Sequence, residues 1–366
     1  MTMGKLEFGI FDPTAIPDDQ GPDATAAAYE AHIGDAQIAE RLGYKYFFFI
    51  EHQNAGFPCI SAPTVYLTAL ARATRQIRIG AMIFQLPLHH PVRLAQDVAM
   101  IDHLSKGRVE FGFGYGTRSR EFEPWHIDFK DRRNLGLEVL DIVLKTWTEH
   151  EVSYRGDHWN LDRALPQPRP YQLPTPPVWI GAHSHSSFAF AAARNLHVAQ
   201  IFEVEKMVAE KFDHFATAWR EHRHSGPMPH RALVRHIHVA ESDSVARTEA
   251  EEYMLHGITG PAGVLRALNL AGADASPETR EISRVYLETS KSVEFWLDEG
   301  LAFIGSPNSV AKAIAAQRER VGYDVLLLNH QFDGMPRALY TKSLRLFGER
   351  VVPQFAARDH VAIGAP

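Results

Sequence analysis

An acid and a histidine, Glu51 and His52, follow directly on a short apolar run in the first part of the chain. The run, residues 47–50, is Phe-Phe-Phe-Ile, and a strand that is covered on both faces has this continuous apolar pattern. In a parallel α/β barrel, polar residues at the carboxyl end of such a strand lie at the mouth where chemistry takes place. Because imidazole titrates near neutrality and can exchange a proton with a reacting group, His52 is the candidate catalytic residue.

The ends of the next two predicted strands suit a flat ligand. The third strand is followed by Phe84 and Gln85, which would form an apolar wall with one amide. The fourth ends in glycines at positions 112, 114 and 116, which allow a close backbone approach to a ligand, and Arg118 follows them. A tight barrel corner with solvated arginines is the alternative interpretation.

Serines precede a predicted helix after the fifth strand. Ser184, Ser186 and Ser187 would place hydroxyls and free amide groups at a helix N-terminus, where anions bind. Taken alone, an ordinary serine cap is the simpler explanation of this motif. The anion site, the glycine gap and the apolar wall together are what a phosphorylated, flat aromatic ring would need.

Twenty histidines suggest metal binding, but their spacing does not support it. Pairs such as His236 and His238 would share a face on a strand, yet no carboxylate or cysteine stands beside them at zinc-site spacing. We therefore expect no metal. The sequence also contains no G-x-S-x-G nucleophile elbow, no dinucleotide-binding fingerprint and no P-loop.

The composition favours a globular protein that acts on small molecules. The 366 residues are 45% apolar and 22% charged, and the formal charge of −6 includes no long basic stripe for nucleic acid. The one cysteine, Cys59, rules out an internal disulfide and fits a reducing compartment. The sequence shows no leader pattern and no apolar run of about 18 residues, so we expect a cytoplasmic protein without a membrane segment.

Strand and helix patterns alternate along the chain. Eight apolar strand candidates begin at residues 6, 46, 77, 109, 178, 198, 232 and 325, with helical periodicity between them, as over residues 63–73. Eight such units predict an α/β fold, a TIM-like (β/α)8 barrel, with residues 1–366 as one domain. The proline-rich residues 154–177 are predicted as a surface excursion, and residues 256–300 as an insertion between strands seven and eight that forms a lid.

Three motifs resemble the bacterial luciferase-like family of flavin-dependent monooxygenases. They are Glu51-His52, the run LPLHHPVR at residues 86–93, and the run DHLSKGR at residues 102–108 with FGFG at 111–114. The resemblance extends over residues 6–201 and returns over residues 305–353. It implies a TIM-like barrel, reduced FMN supplied by a separate flavin reductase, and oxygen activation through a flavin hydroperoxide. The products would be an oxygenated substrate, oxidised flavin and water.

The resemblance also implies roles for single residues. His52 corresponds to the histidine beside the reactive edge of the flavin, and Glu51 lies next to it. Met82 and Ile83 correspond to a pair that supports the ring through a non-prolyl cis peptide bond. Ser184 and Ser187 correspond to residues that bind the phosphate.

Several positions depart from luciferase. Tyr115 stands in place of a phosphate-binding arginine, Gly114 in place of a cysteine and His183 in place of a glutamate. Arg118 or Arg133 would then contact the phosphate. These departures argue against light emission from a long-chain aldehyde and leave the flavin site recognisable.

The predicted substrate is a small hydrophobic organic molecule that reacts with O2. Its contacts are expected from Phe49, Phe84, Gln85, Phe113 and Phe202, and the same apolar side chains would keep water from the flavin. Two other functions stay open: a deazaflavin-dependent hydride transferase, which would ignore FMN, and a non-catalytic flavin-binding protein. The family further implies a homodimer that pairs through helices at residues 62–73 and 92–104.

Overall fold

The computed structural model describes residues 5–14, 16, 20–54, 59–201, 203–259, 277–289, 292–332 and 334–355. Within them the strands are β1 (Glu7–Asp12), β2 (Tyr46–Phe49), β3 (Arg78–Gln85), β4 (Val109–Gly114), β5 (Val152–Arg155), β6 (Asn160–Ala164), β7 (Val178–Gly181), β8 (His197–Gln200), β9 (Arg231–Val239), β10 (Ala302–Gly305) and β11 (Val325–Asn329). The helices are α1 (Pro22–Arg41), α2 (Pro63–Ala73), α3 (Pro91–Ser105), α4 (Arg132–Thr148), α5 (His185–Ala193), α6 (Glu205–Glu221), α7 (Asp243–Thr259), α8 (Pro277–Thr289), α9 (Val293–Asp298), α10 (Pro307–Val321) and α11 (Arg337–Arg350). None of these described helices has the length and apolar character that a membrane crossing needs.

Eight of the strands follow one another in a single sheet in the order β11-β1-β2-β3-β4-β7-β8-β9, and β9 pairs in turn with β11. A parallel sheet of eight strands with this cyclic order and helices between its strands is an α/β barrel of the TIM type. The predicted fold class is therefore confirmed. The helix predicted over residues 63–73 coincides with α2.

Internal contacts divide the chain into two compact units. The β2–β7 unit comprises residues 13–40 and 45–181, and the β8–β11 unit comprises residues 1–12, 41–44 and 182–366. The expectation that residues 1–366 form one domain stays a prediction.

The β2–β7 unit is built on four parallel strands. All four residues of β2 are buried, and β2 pairs with β3, which pairs with β4, which pairs with β7. Gly80 lets β3 and β4 approach each other, because a Cβ at this position would lie 2.4 Å from the carbonyl oxygen of Glu110. Since the strands are parallel, their carboxyl ends share one edge of the sheet.

An antiparallel hairpin of β5 and β6 lies at the start of the predicted excursion. The side chain of Glu138 on α4 holds the turn, because it accepts hydrogen bonds from the backbone N–H of Asp157 at 2.8 Å and of Trp159 at 3.0 Å. Both strands are missing from the sequence prediction. Their residues are mostly exposed and polar, so they carry no apolar alternation that could be recognised.

The β8–β11 unit centres on β9, a nine-residue strand with three neighbours. β8 pairs with residues 231–233 of β9, β11 pairs with residues 232–236, and β10 pairs with residues 236–239. β10 is also missing from the sequence prediction. The predicted insertion ends at residue 300 and the next predicted strand begins only at residue 325, so the four residues of β10 fall between the two.

Much of the predicted insertion, residues 260–276, 290 and 291, lies outside the described residues. The parts that are described are helical and belong to α7, α8 and α9. Trp296 of α9 packs in an apolar cluster with Met254 of α7 and Val285 of α8. The role of residues 256–300 as a lid stays a prediction.

Two glycine variants test the close packing of β3 on β4. We expect Gly80→Ala to destabilise the protein by about 1–3 kcal/mol, because the added methyl group would meet the Glu110 carbonyl oxygen and the Phe48 ring. Gly34→Ala is the matched control: Gly34 lies in α1, where no atom of the described residues lies within 4 Å of an added Cβ, so helix propensity should raise stability by up to about 1 kcal/mol. Urea denaturation measures both, and an unchanged free energy of unfolding for Gly80→Ala would contradict the packing described.

Candidate active site

His52 lies just beyond the carboxyl end of β2, where its backbone N–H donates a hydrogen bond to the carbonyl of Ile60 at 3.0 Å. Its side chain is 20% exposed. The ring atom Nδ1 lies 2.9 Å from Oε1 of Glu121, whose side chain is almost completely buried. Glu121 belongs to a short 3-10 turn, Ser119–Glu121, that follows β4. The histidine thus faces a carboxylate that comes from a distant part of the sequence.

The second carboxylate oxygen of Glu121 is also engaged. Gln85, the last residue of β3, donates from Nε2 to Glu121 Oε2 at 2.6 Å, and its backbone N–H donates to Glu51 Oε2 at 2.8 Å. The carboxylate of Glu51 also meets His89, whose Nε2 lies 3.0 Å from Oε1 and 2.9 Å from Oε2. Glu51, His52, Gln85, His89 and Glu121 therefore form one connected set, which we call the strand-end network.

The charges of this network shift two pKa values. Burial raises the pKa of Glu121, but the hydrogen bonds and charges of His52, Gln85 and Arg118 outweigh it and leave the pKa below its usual value. Burial lowers the pKa of His89, and the carboxylate of Glu51 more than reverses this effect. Glu121 is therefore suited to stay ionised while buried.

Met82 and Ile83 occupy the face of β3 that adjoins the β4 glycines. The peptide bond between them is cis, which confirms this part of the implied pattern. A Cβ on Gly112 would lie 3.1 Å from Met82 Sδ, and one on Gly114 would lie 2.2 Å from Ile83 Cδ1. The space beside these two glycines is thus occupied by side chains of β3. A contact of Gly114 with a ligand stays a prediction.

The two arginines considered for a phosphate have different surroundings. Arg118 lies 3.6 Å from Glu121 Oε1 and so contributes to the strand-end network. Arg133, in the first turn of α4, lies with its guanidinium carbon 6.0 Å from the centre of the Tyr115 ring. The Tyr115 ring in turn packs edge-on against Phe113. A role of Arg118, Arg133 or Tyr115 at a phosphate stays a prediction.

The serines predicted as an anion site lie in the β8–β11 unit and cap α5. Ser184 Oγ accepts a hydrogen bond from the Ser187 backbone N–H at 3.2 Å, and it lies 2.9 Å from Ser186 Oγ and 3.0 Å from Ser187 Oγ. The first turn of α5 contains no acidic residue. Three hydroxyl groups therefore meet at a helix N-terminus, where partial positive charge favours an anion.

His183, next to the cap, adjoins a buried ionic group that the sequence analysis does not identify. Gln200 Nε2 lies 3.5 Å from His183 Nδ1 and donates to Glu203 Oε2 at 2.6 Å, and Glu203 forms a fully buried ion pair with Lys211. Burial and the charge of Lys211 lower the pKa of His183 to about 4. His183 is therefore neutral at physiological pH.

Four of the five residues predicted to contact a substrate are described, three as buried rings and one in the strand-end network. The rings of Phe49, Phe84 and Phe113 are fully buried; Phe49 packs edge-on against Tyr66, and Phe84 stacks on Phe111. Gln85 belongs to the strand-end network, and Phe202 lies outside the described residues. Their contact with a substrate stays a prediction.

Two other chemistries find little support at this strand end. Cys59 donates from Sγ to the carbonyl of His52 at 3.3 Å, and burial, with the charges of Glu121 and Glu51, raises its pKa to about 11. It is therefore a protonated thiol and a poor nucleophile at neutral pH. In the part of the chain that the structure describes, no three His, Cys, Asp or Glu side chains come together as metal ligands.

The family model for luciferase-like monooxygenases matches residues 6–324. The chain belongs to this family. Flavin monooxygenases are among its relatives: the oxygenase component of flavin-dependent trigonelline monooxygenase from Acinetobacter baylyi is 28% identical over 68% of this chain and 69% of that protein. Limonene 1,2-monooxygenase from Rhodococcus erythropolis is 26% identical over 96% of this chain and 87% of that protein. An uncharacterized protein from Sinorhizobium fredii is 34% identical, and the match spans only 53% of this chain and 56% of the relative.

Solved structures share the fold of this chain. The oxygenating constituent of 3,6-diketocamphane monooxygenase from Pseudomonas putida, in complex with FMN, superposes with a TM-score of 0.78 at 20% identity, over 96% of this chain and 99% of that one. An F420-dependent secondary alcohol dehydrogenase superposes with a TM-score of 0.71 at 16% identity, over 96% of this chain and 99% of that one. At these identities the likeness concerns the fold alone.

The lowered pKa of Glu121 predicts a stability that depends on pH. Because the folded-state pKa lies below the usual 4.5, ionised Glu121 stabilises the fold above that pH, and the contribution disappears as pH falls through the folded-state pKa. We expect Glu121→Gln, which cannot titrate, to be about 1–3 kcal/mol less stable than the wild type near neutral pH, with a gap that narrows in acid. Urea denaturation over a pH series measures the gap.

Glu149→Gln is the control for this series. Glu149 forms a largely exposed ion pair with Lys145 at 2.9 Å, which contributes less than about 1 kcal/mol. A gap between Glu121→Gln and wild type that does not change with pH would contradict the assigned ionisation.

Proposed function

We propose that this luciferase-like monooxygenase is the oxygenase of a two-component system. It would use reduced FMN, supplied by a separate flavin reductase, and O2 to oxygenate a small hydrophobic organic substrate. One oxygen atom would enter the substrate, and the other would leave as water with the two hydrogens of the reduced flavin. The trigonelline relative, itself named as an oxygenase component, supports the reductase partner.

The observation that carries the proposal is the placement of His52. It is the one histidine of the family motif at the carboxyl end of β2, and the buried carboxylate of Glu121 holds its ring at 2.9 Å. A titratable ring that is partly exposed and anchored on its inner side is suited to hold or move a proton beside a ligand. This arrangement supports a catalytic role for His52, in a chain that belongs to a monooxygenase family.

The residues present fit an FMN. Met82 and Ile83 present apolar surface between glycines, and Gln85 Oε1 is a buried acceptor without a hydrogen-bond partner among the described residues. The serine cluster of α5 has the donors that a phosphate requires, with no acidic residue in the helix's first turn. When bound, reduced FMN would supply the two electrons that activate O2.

The chain's own residues would have three tasks. Met82 and Ile83 would support the ring, with Glu51 and Gly114 as further neighbours. Ser184 and Ser187, with Arg118 or Arg133, would bind the phosphate, and His183 and Tyr115 would complete its surroundings. Phe49, Phe84 and Phe113 would exclude water, and His52 would transfer a proton to or from the reacting oxygen.

A homodimer remains part of the proposal. Val65 on α2 and Met100 and Leu104 on α3 are large apolar side chains that are exposed, Val65 to 71%. Exposed apolar side chains on adjacent helices support pairing through these two helices, in line with the family resemblance.

The test is to supply anaerobic protein with photoreduced FMN, add isotopically labelled O2 and a panel of small hydrophobic compounds, and look for labelled product by mass spectrometry. We expect tight binding of reduced FMN and transfer of one labelled oxygen atom. Binding of deazaflavin with no affinity for FMN would replace the proposal by the hydride transferase. Flavin binding without product or O2-dependent turnover across the panel would favour the flavin-binding protein.

Two variants sharpen this test. His52→Ala should bind reduced FMN normally and lose oxygenation by about 10²–10⁴-fold, since proton transfer by a positioned side chain contributes that much. His126→Asn is the control, because His126 is an exposed histidine of the same unit with a left-handed φ of 54°, which asparagine tolerates. Wild-type oxygenation by His52→Ala would show that the role assigned to His52 is wrong.

A second pair of variants tests the phosphate site. Ser184→Ala should weaken the binding of reduced FMN by about tenfold or more, because a hydrogen bond to a charged group contributes roughly 1.5–3 kcal/mol, and should leave the affinity for reduced riboflavin unchanged. Fluorescence or absorbance titration measures both affinities.

Ser306→Ala is the matched control for the phosphate site. Ser306 caps α10 as Ser184 caps α5 and accepts from the Ser309 backbone N–H, but there Asp243 already accepts hydrogen bonds from the Ser306 backbone N–H and the Ser309 hydroxyl. Equal weakening of FMN and riboflavin in Ser184→Ala would mean that the serine supports α5 and does not contact the phosphate.

A further inference from the structure

The amide of Gln85 has a definite orientation, and this decides how the strand-end network is protonated. Its Nε2 lies 2.6 Å from Glu121 Oε2 and 3.2 Å from the backbone carbonyl oxygen of Glu51. A backbone carbonyl can only accept hydrogen bonds. The end of the amide that faces both oxygens is therefore the NH2 group, and Glu121 Oε2 is an acceptor.

The remaining oxygen of Glu121, Oε1, then determines which ring nitrogen of His52 carries the proton. The hydrogen bond from Gln85 and the charge of Arg118 favour the ionised form of Glu121, whose pKa lies below its usual value. An ionised carboxylate has no proton to give, so its Oε1, 2.9 Å from His52 Nδ1, must accept a proton that the ring carries on Nδ1.

We propose that Glu121 is a positioning residue that holds neutral His52 in the Nδ1–H tautomer, and that Gln85 enforces this by fixing the orientation of the Glu121 contacts. The inference deepens the proposed function, since it assigns the proton transfer of His52 to the Nε2 atom. In the neutral ring Nε2 is the acceptor, and in the protonated ring it is the donor.

Glu51 supports the same arrangement from the other side of Gln85. Its Oε2 accepts the Gln85 backbone N–H at 2.8 Å, its backbone carbonyl accepts from the Gln85 side chain, and its carboxylate faces His89. The backbone carbonyl of Glu51 thus holds the Gln85 side-chain amide, and its carboxylate holds the Gln85 backbone. This explains why one glutamine can set the direction of a hydrogen-bond chain that ends on the imidazole.

The test is long-range proton–nitrogen correlation NMR on protein with isotope-labelled histidine, at a pH well above the usual imidazole pKa, with the His52 signals assigned by their loss in His52→Gln. We expect the wild type to show His52 mainly as the Nδ1–H tautomer. We expect Glu121→Gln to show mainly the Nε2–H tautomer, because the Gln85 NH2 group holds the oxygen of the new amide and turns its NH2 group toward Nδ1. A wild-type ring that is mainly Nε2–H would overturn the proposal without any variant.

Two further variants separate positioning from a general structural effect. Gln85→Leu combined with Glu121→Gln removes the fixed donor, lets the new amide rotate, and should return His52 toward Nδ1–H. Glu110→Gln changes another buried carboxylate of the same unit, one that accepts from Trp179 Nε1 at 2.5 Å, and should leave the His52 tautomer unchanged. An equal tautomer change in Glu110→Gln would overturn the specific role of Glu121.

The oxygenation assay distinguishes this inference from the proposed function. If Glu121→Gln inverts the tautomer, oxygenation should fall by about 10²-fold while the affinity for reduced FMN stays within a few fold. An inverted tautomer with wild-type oxygenation would support the positioning role and contradict the part assigned to His52 in the proposed reaction. An unchanged tautomer in Glu121→Gln would contradict positioning, whatever the activity.

Discussion

The burial of the Glu121 carboxylate is the constraint on which the strand-end network depends. A carboxylate that leaves water costs several kcal/mol unless both oxygens find donors. Here Gln85 and His52 serve the two oxygens, and Arg118 adds a positive charge 3.6 Å away. These side chains come from the end of β3, the loop after β2 and the segment after β4. One buried charge therefore ties three parallel strands together at the edge where polar side chains collect.

The same requirement explains why a second acid can lie so close. Glu51 is also buried, and it is served by the backbone N–H of Gln85 and by His89. Gln85 uses its backbone for one acid and its side chain for the other, so it joins the two while keeping the carboxylates apart. Its position at the end of β3 follows from the register of β3 on β4, which the glycines of both strands permit. Gln85 thus links the packing of the sheet to the hydrogen bonds of the two buried acids.

Two helices of the β8–β11 unit have the same serine cap but differ in the charge beside their N-termini. Ser184 and Ser306 cap α5 and α10 with the same bond to the backbone N–H three residues later. At α10 the carboxylate of Asp243 already occupies the positive end of the helix. The first turn of α5 contains no acidic residue, and the nearby His183 is kept neutral by burial and by the charge of Lys211. An anionic group would meet no negative side chain in that first turn.

The sequence by itself determined the barrel and identified His52 as a residue at the end of one of its strands. Apolar runs bounded by helical periodicity are local signals, so β1 to β4, α2 and the position of His52 at a strand end could all be derived from it. The strands β5, β6 and β10 could not: β5 and β6 are largely exposed and polar, and β10 follows directly on the predicted insertion and pairs with the distant β9. Only the tertiary structure decided that Glu121, 69 residues along the chain from His52, is its partner. Nothing in the local sequence distinguishes Glu121 from the neighbouring Glu123, since burial and hydrogen bonding are set by which segments the closed sheet brings together. The sequence determines which residues stand at the strand ends, and the fold decides which of them share a proton.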